Sequence, residues 1–347
     1  MKAVALTSIR KAELIQIPKP IINDNQILMR IKACALCTTE QRNFYGEKSC
    51  KFPFVGGHEI SGFIEEIGKN VDPNKYPIGA HCTGRTQIAC GSCYHCKRGE
   101  FALCKHLADY RYNGPDYYGY GGLAEYIALD QNSVWLYPND ISFEALSITE
   151  PLACVLNSVN IANPIQGDDA LVIGGGIMGQ LHLMVLNLKG VRTILSEPDE
   201  KRRKFALDHG CKIVIDPTKQ DLKAEIMKLT NNQGVETIIN TTAIPAIEQN
   251  AIGLLSSLGT LVTYSSQHPD SPVEFSPNKL HNSCAKLTGA VNPSIQTFTQ
   301  AVNLIGKGII DTSDLVSKVF DMKHCQEAFE ASLGIETYRV VIKMEDE

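Results

Sequence analysis

The stretch that decides the fold runs from Asp169 to Pro198, DALVIGGGIMGQLHLMVLNLKGVRTILSEP. A short strand-like run, DALVI, leads into three consecutive glycines. An apolar helical run, IMGQLHLMVLNL, follows, and a second strand-like run, RTILS, ends on Glu197. Gly174, Gly176 and Gly179, with Ile177 and Met178 between the last two, satisfy G-x-G-x-x-G. Alone this motif is weak; a strand before it and a helix after it are the context it needs. Gly174 permits a tight turn, Gly176 lets a pyrophosphate approach the backbone, and Gly179 lets helix and strand pack closely. The helix N-terminus then faces the phosphates. This predicts a dinucleotide site, against the plainer reading of a glycine turn in a parallel sheet. Glu197 follows at the end of the next strand, where a carboxylate accepts hydrogen bonds from ribose hydroxyls and repels a 2′-phosphate. NAD is therefore expected in preference to NADP. Arg202, counted with the cofactor-binding residues, and Arg203 lie downstream and leave room for NADP. The alternative for Glu197 and Asp199 is that they only cap the next helix.

Working outward, strand, turn and helix keep alternating: DEKRRKFALDHG, KIVID, ETIINTT and TLVTYS follow. Alternation of this kind implies a parallel sheet covered on both faces. It fades after about Gly289. Upstream, the first 150 or so residues read differently. VALTS, ILMRIKACAL, GFIEEIG, AHCTG and GLAEYIAL are short apolar or alternating runs bounded by Gly, Pro and Asn, as expected of strands. The style changes near Pro151, where PLACVLNSVNIAN has helical spacing.

The chain has 347 residues, 44% of them hydrophobic and 20% charged, with a net charge of −5. Two domains are the natural expectation for that length. The acidic balance argues against a nucleic-acid partner. Lys201–Arg202–Arg203–Lys204 reads as a solvated helix face. The N-terminus lacks the apolar core of a secretory signal. Leu171–Leu188, the most membrane-like stretch, carries glycines, Gln180, His182 and Asn187, so no spanning helix is expected. Cytoplasmic location and no membrane partner follow as expectations.

Twelve cysteines are present, and four of them fall in CGSCYHCKRGEFALC. Cys90, Cys93, Cys96 and Cys104 give C-x2-C-x2-C-x7-C. Four thiolates close a tetrahedral shell around zinc and leave no position for substrate, so the lobe reads as structural. Free thiols, disulfides and an iron–sulfur cluster are the alternatives, and His95 is a rival ligand.

Cys37, His58 and Glu150 are far apart in sequence, yet each sits in a setting that suits a ligand. Cys37 follows the run IKACAL, His58 lies in Gly56–Gly57–His58–Glu59, and Glu150 precedes Pro151. A thiolate, an imidazole and a carboxylate would leave a fourth zinc position open. No spacing rule joins them, and singly each has a duller reading: a core thiol, a helix cap, a surface charge.

Taken in order, Cys37-Thr-Thr-Glu, Gly57-His58-Glu59, the cysteine lobe, GYGGLAEY (Gly119–Tyr126), Glu150-Pro-Leu-Ala and the glycine turn resemble the zinc-dependent medium-chain alcohol dehydrogenases of the polyol (sorbitol) and threonine dehydrogenase type, over essentially the whole chain. The resemblance implies an α/β architecture: a GroES-like β-rich catalytic domain (1–153), a Rossmann doubly wound parallel-sheet domain (154–289), and a C-terminal segment (290–347) that rejoins the first. It implies two zinc ions per chain, one structural in the lobe and one catalytic at Cys37 and His58. Glu59 or Glu150 would help the catalytic ion directly or through water; Cys154 is a rival by helical spacing. Thr39 would hydrogen-bond the substrate oxygen and relay its proton.

Two departures stand out. A histidine common five residues after the zinc cysteine is Arg42 here, in a segment read as a loop. An arginine common near the start of the returning segment is absent from GAVNPSIQTF, which puts ordinary sorbitol specificity in doubt. The expected activity is oxidation of a secondary alcohol to a ketone by hydride transfer to NAD. Candidate substrates are a polyol, a sugar-alcohol phosphate, a cyclitol or an amino alcohol. A homodimer or homotetramer is expected. The rivals are a quinone- or enoyl-type reductase without catalytic zinc, and a non-enzymatic dinucleotide sensor.

Overall fold

The structure, a computed structural model, describes residues 1–107, 117–138 and 140–344. Two units emerge, Cys154–Pro293 and Met1–Ala153 with Ser294–Glu347.

In Cys154–Pro293, runs of Val, Ile, Leu and Thr form six strands. Their spatial order is Ile213–Ile215, Arg192–Ser196, Asp169–Ile173, Val235–Asn240, Leu255–Thr263, Lys286–Gly289, every neighbouring pair parallel. Counted within the unit this is 3-2-1-4-5-6, the doubly wound order. Such strands are buried on both faces: Leu171, Ile194, Ile238 and Leu261 are at most 1% exposed. Each side chain of that kind contributes about 1.5–3 kcal/mol on burial. The order reverses between Asp169–Ile173 and Val235–Asn240, and the glycine turn leaves the carboxyl end of the former. The segment Leu171–Leu188, expected not to span a membrane, is divided between that strand and the helix Ile177–Leu188. A different stretch, Phe143–Ala162, is long and apolar enough to span, and its apolar window is 72% buried in protein.

The other unit is antiparallel at its centre. Its sheet runs Val316–Asp321, Arg339–Lys343, Gln26–Ala35, Glu59–Ile67, His81–Gly84, Val134–Leu136, and Tyr126–Asp130 also pairs with Gln26–Ala35. The late strand Arg339–Lys343 therefore lies against Gln26–Ala35, with Val341 opposite Ala35. On the other side Ala35 is opposite Glu59. One core serves both chain ends, since Leu6, Ile31, Ile64, Phe329 and Ile342 belong to one buried cluster.

Two sequence expectations need correction. Residues 38–45, read as loop, form a helix, Thr38–Tyr45. It is fixed by its ends rather than by apolar period: Cys37 is an extended N-cap, the Glu40 side chain three residues on accepts the Cys37 amide, and Gly46 stops the helix at φ 83°. The basic run Lys201–Lys204 is only half solvated. The Arg203 side chain is 12% exposed and bonds Asp216 at 3.2 Å. It also donates to the Glu197 and Pro198 carbonyls.

Candidate active site

The cysteine lobe closes as its spacing requires. The sulfurs of Cys90, Cys93, Cys96 and Cys104 all lie within 4.8 Å of one another. Cys93–Cys96 is 3.5 Å, and Cys90–Cys96 and Cys93–Cys104 are 4.0 Å. A tetrahedron of sulfurs at zinc-bond length has edges of about 3.8 Å. Amide N–H groups of Cys93 and Cys90 donate to the Cys90 and Cys104 sulfurs at 3.3 Å, and that of His106 to Cys104 at 3.4 Å. Hydrogen bonds from Ser92 and the Cys93 amide hold the Cys90 thiol down at about 5, ready to ligate as thiolate. His95 stands outside this donor set and packs edge-on against Tyr94. All twelve cysteines are free of disulfides. The donors fit a structural zinc.

A second donor set gathers Cys37, His58 and Glu59 within 4.8 Å. Cys37 starts the Thr38–Tyr45 helix, while Glu59 starts the Glu59–Ile67 strand directly after His58. Gly57 takes φ 85°, and a Cβ there would meet the Leu123 amide nitrogen at 2.6 Å and the Cys34 sulfur at 2.7 Å. The GYGG turn locks in from the other side, as Gly122 and Leu123 donate to the Gly57 and Gly56 carbonyls at 3.1 and 3.0 Å.

Glu40 is the residue that sequence reasoning missed. It is fully buried. One oxygen accepts the Gly57 amide at 3.0 Å and lies 3.3 Å from His58 Nδ1; the other accepts the Cys37 amide at 3.2 Å. The Nδ1 contact is an ion-pair distance without hydrogen-bond geometry, and a carboxylate so placed supports the imidazole as a metal ligand. Burial disfavours the Glu40 carboxylate, but His58 and the Gly57 amide outweigh it and keep its pKa below the usual range. The spacing Cys37-x-x-Glu40 is that of a capping box and was the available signal.

Glu59 is also fully buried, and both its oxygens are held by Arg339, at 2.7 and 2.9 Å. Burial opposes the Arg339 charge, yet Glu59 and Cys37 raise its pKa further. Glu150, on the first turn of the Thr149–Ala162 helix, is not in this donor set, although its charge reaches Arg339. Cys154 belongs to the other unit. A thiolate, an imidazole and a carboxylate are a donor set that suits zinc.

Thr39 sits one residue inside the helix and lines a cavity of about 440 Å³ with Asn43, Lys48, Lys51, Phe54 and Tyr120. The Tyr120 ring meets the His58 ring edge-on at 5.2 Å. Arg42 lies half-buried on the same helix and is not among the residues lining that cavity.

In the other unit, Gly174 has φ 95°, and Gly176 is the N-cap of Ile177–Leu188, with Met178 in its first turn. A Cβ on Gly179 would meet the Gly174 carbonyl oxygen at 1.9 Å, so only glycine fits. Glu197 is 4% exposed; its carboxylate accepts the Gly175 amide at 2.5 Å and the Asp199 amide at 2.8 Å. Arg202 stands 4.0 Å from it. The helix cap is Asp199, which accepts the Arg202 amide at 2.9 Å. Glu197 thus belongs to the glycine turn.

Residues 23–139 match the alcohol dehydrogenase GroES-like domain and residues 178–307 the zinc-binding dehydrogenase domain. The chain is similar to the L-threonine 3-dehydrogenase of Pyrococcus furiosus, 32% identical over 69% of this chain and 68% of that one. It is also similar to the D-arabitol-phosphate dehydrogenase of Enterococcus avium, 25% identical over 96% and 94% of the two chains. In fold it resembles a Sinorhizobium meliloti protein of the zinc-binding dehydrogenase type solved with NADP, at a TM-score of 0.87 and 24% identity, covering 99% of this chain and 98% of that one.

Proposed function

Because the chain belongs to the zinc-dependent medium-chain alcohol dehydrogenase family, we propose that it oxidises a secondary alcohol of a polyol, sugar-alcohol phosphate, cyclitol or amino alcohol to a ketone, with NAD as acceptor and two zinc ions per chain. The observation that carries this reading is the donor set Cys37, His58 and Glu59 beside the cavity lined by Thr39. It weighs against a reductase without catalytic zinc.

A zinc ion held by Cys37, His58 and one of Glu59 or Glu150 supplies Lewis acidity that acidifies an alcohol, and bound NAD supplies the hydride acceptor. The chain does the rest. The Glu40 carboxylate, 3.3 Å from His58 Nδ1, supports the imidazole electrostatically as a ligand. Arg339 neutralises Glu59, which would otherwise be a buried unpaired charge. Thr39 Oγ1 hydrogen-bonds the substrate hydroxyl and takes its proton outward. Phe54 and Tyr120 wall the cavity and limit water. Arg42 offers donors and no acceptor, so it is not placed in the proton path.

For the cofactor, Glu197 beside the glycine turn favours two ribose hydroxyls over a 2′-phosphate. The NADP of the Sinorhizobium protein belongs to that protein, and Arg202 is the feature here that would favour it. We further take the protein to be cytoplasmic and a homodimer or homotetramer, acting on small molecules without nucleic-acid or membrane partners. Light scattering in solution tests the assembly.

The deciding experiment combines metal analysis with an NAD-reduction screen over polyols, sugar-alcohol phosphates, cyclitols and amino alcohols. Two zincs and turnover are expected. Cys37→Ser should stay folded, bind NAD and lose turnover, whereas Cys93→Ser should lose folding, because a closed metal site contributes folding free energy. One zinc per chain with no alcohol oxidised would overturn the proposal.

A further inference from the structure

We propose that the cavity beside Thr39 accepts a sugar-alcohol phosphate, its phosphate held by Lys48 and Lys51 and its chain read by Asn43. This rests on the dehydrogenase reading above and names its substrate class.

The cavity lies within one unit and measures about 440 Å³, a size typical of small-molecule sites. Thr39 and Asn43 are four residues apart on the Thr38–Tyr45 helix, so they share one face. They are separated by about 6 Å along the axis, roughly the span of a few carbon–carbon bonds. Cys37 caps the start of that helix. The cavity therefore begins next to the metal donors and follows the helix toward its far end. There the chain turns at Gly46 and brings Lys48 and Lys51, both exposed, to the cavity wall.

Asn43 supplies an independent pointer. It is 3% exposed, lines the cavity, and its Oδ1 has no hydrogen-bond partner among the described residues. Buried polar atoms are rarely left so. A polyol hydroxyl entering beside this side chain would supply the donor that Oδ1 lacks.

Charge selects the class. The described lining residues include two lysines and no carboxylate. The Lys51 ammonium sits 5.3 Å over the Tyr118 ring, another wall of the same cavity. A phosphate monoester carries about −1.5 to −2 charges near neutral pH, and lysine binds phosphate as a point charge. L-Threonine would offer the lysines a singly charged carboxylate, but its ammonium would find no carboxylate among the described lining residues. A free polyol or cyclitol would leave both lysines unused.

The test titrates zinc-loaded protein calorimetrically with a pentitol 5-phosphate, the same pentitol unphosphorylated, and L-threonine. The protein is wild type, the surface double variant Lys48→Gln/Lys51→Gln, or Asn43→Leu. Wild type should bind the phosphate on the order of 10- to 100-fold more tightly than the free pentitol, with affinity falling as salt rises. In the double variant that selectivity should collapse. Asn43→Leu should weaken the phosphorylated and free pentitols alike. Equal binding of the two pentitols by wild type, retention of selectivity in the double variant, or preferential binding of threonine overturns the proposal. NAD reduction separates it from the broader reading. Efficient oxidation of uncharged or amino alcohols alone refutes the phosphate assignment and leaves the dehydrogenase standing. Phosphate binding with no alcohol oxidised does the reverse.

Discussion

Replacing Glu40 by glutamine changes one atom in the buried lattice behind the Cys37–His58 donors. In the native arrangement one oxygen faces the Gly57 amide and His58 Nδ1 while the other faces the Cys37 amide, at 3.0, 3.3 and 3.2 Å. A glutamine can accept at only one of its two ends. Whichever way it turns, a buried N–H faces another donor, at a cost of about 1–3 kcal/mol. The charge opposite the imidazole also disappears, and loss of such a partner lowers metal affinity about 10- to 100-fold, equivalent to about 1.4–2.7 kcal/mol. The four-thiolate lobe shares none of these bonds. Competition against a chromophoric chelator should therefore show one of two zinc ions weakened and the other unchanged. Urea unfolding should report the stability loss. If both ions are held as in the wild type and the unfolding midpoint does not move, Glu40 does not support His58 as a ligand and the reasoning fails.

Arg339→Leu should destabilise the protein by about 3–5 kcal/mol, because it leaves Glu59 charged and buried. Adding Glu59→Gln should restore most of that in a double-mutant denaturation cycle, and a simple sum of the two losses would count against the pair. Glu197→Ser should raise the ratio of NADP to NAD in kcat/KM by about tenfold or more; an unchanged ratio would remove Glu197 from cofactor selection. His182 is fully buried, and burial pushes its pKa down to about 4. The unfolded chain takes up that proton first, near 6.5. Stability is then full above pH 6.5 and falls by about 3 kcal/mol as pH drops to 4, with no further loss from this group below. Urea titrations of wild type and His182→Gln across that window should differ in slope, and parallel curves would refute the assignment.

Local chemistry was legible in the sequence and distant chemistry was not. The glycine turn and the cysteine lobe declare themselves through spacing, because their partners lie within a few residues. The strand–turn–helix alternation likewise announced the parallel sheet, whose strands bury both faces. Glu40 was hidden inside a segment read as loop, since a helix of eight residues set by its caps has no apolar period to detect. Arg339 meets Glu59 across 280 residues of chain, and only the pairing of Arg339–Lys343 beside Gln26–Ala35 brings them together. The sign of the basic run at Lys201–Lys204 was equally unhelpful, because Arg203 spends its guanidinium on two carbonyls and Asp216.

The pairing of Arg339–Lys343 with Gln26–Ala35 also sets a timetable for synthesis. Six parallel strands of the dinucleotide unit come from one continuous stretch, Cys154–Pro293, which can close its sheet as soon as it leaves the ribosome. The catalytic sheet cannot. Along one edge of its strand Gln26–Ala35, Tyr126–Asp130 covers Gln26–Arg30, but Ala33–Ala35 wait for Arg339–Lys343. Contacts of such long sequence separation form slowly, and an unpaired edge invites other chains meanwhile. Ala33–Ala35 is thus the stretch of this sheet that waits longest for its partner, and losing Arg339–Lys343 would leave that short edge exposed to other chains.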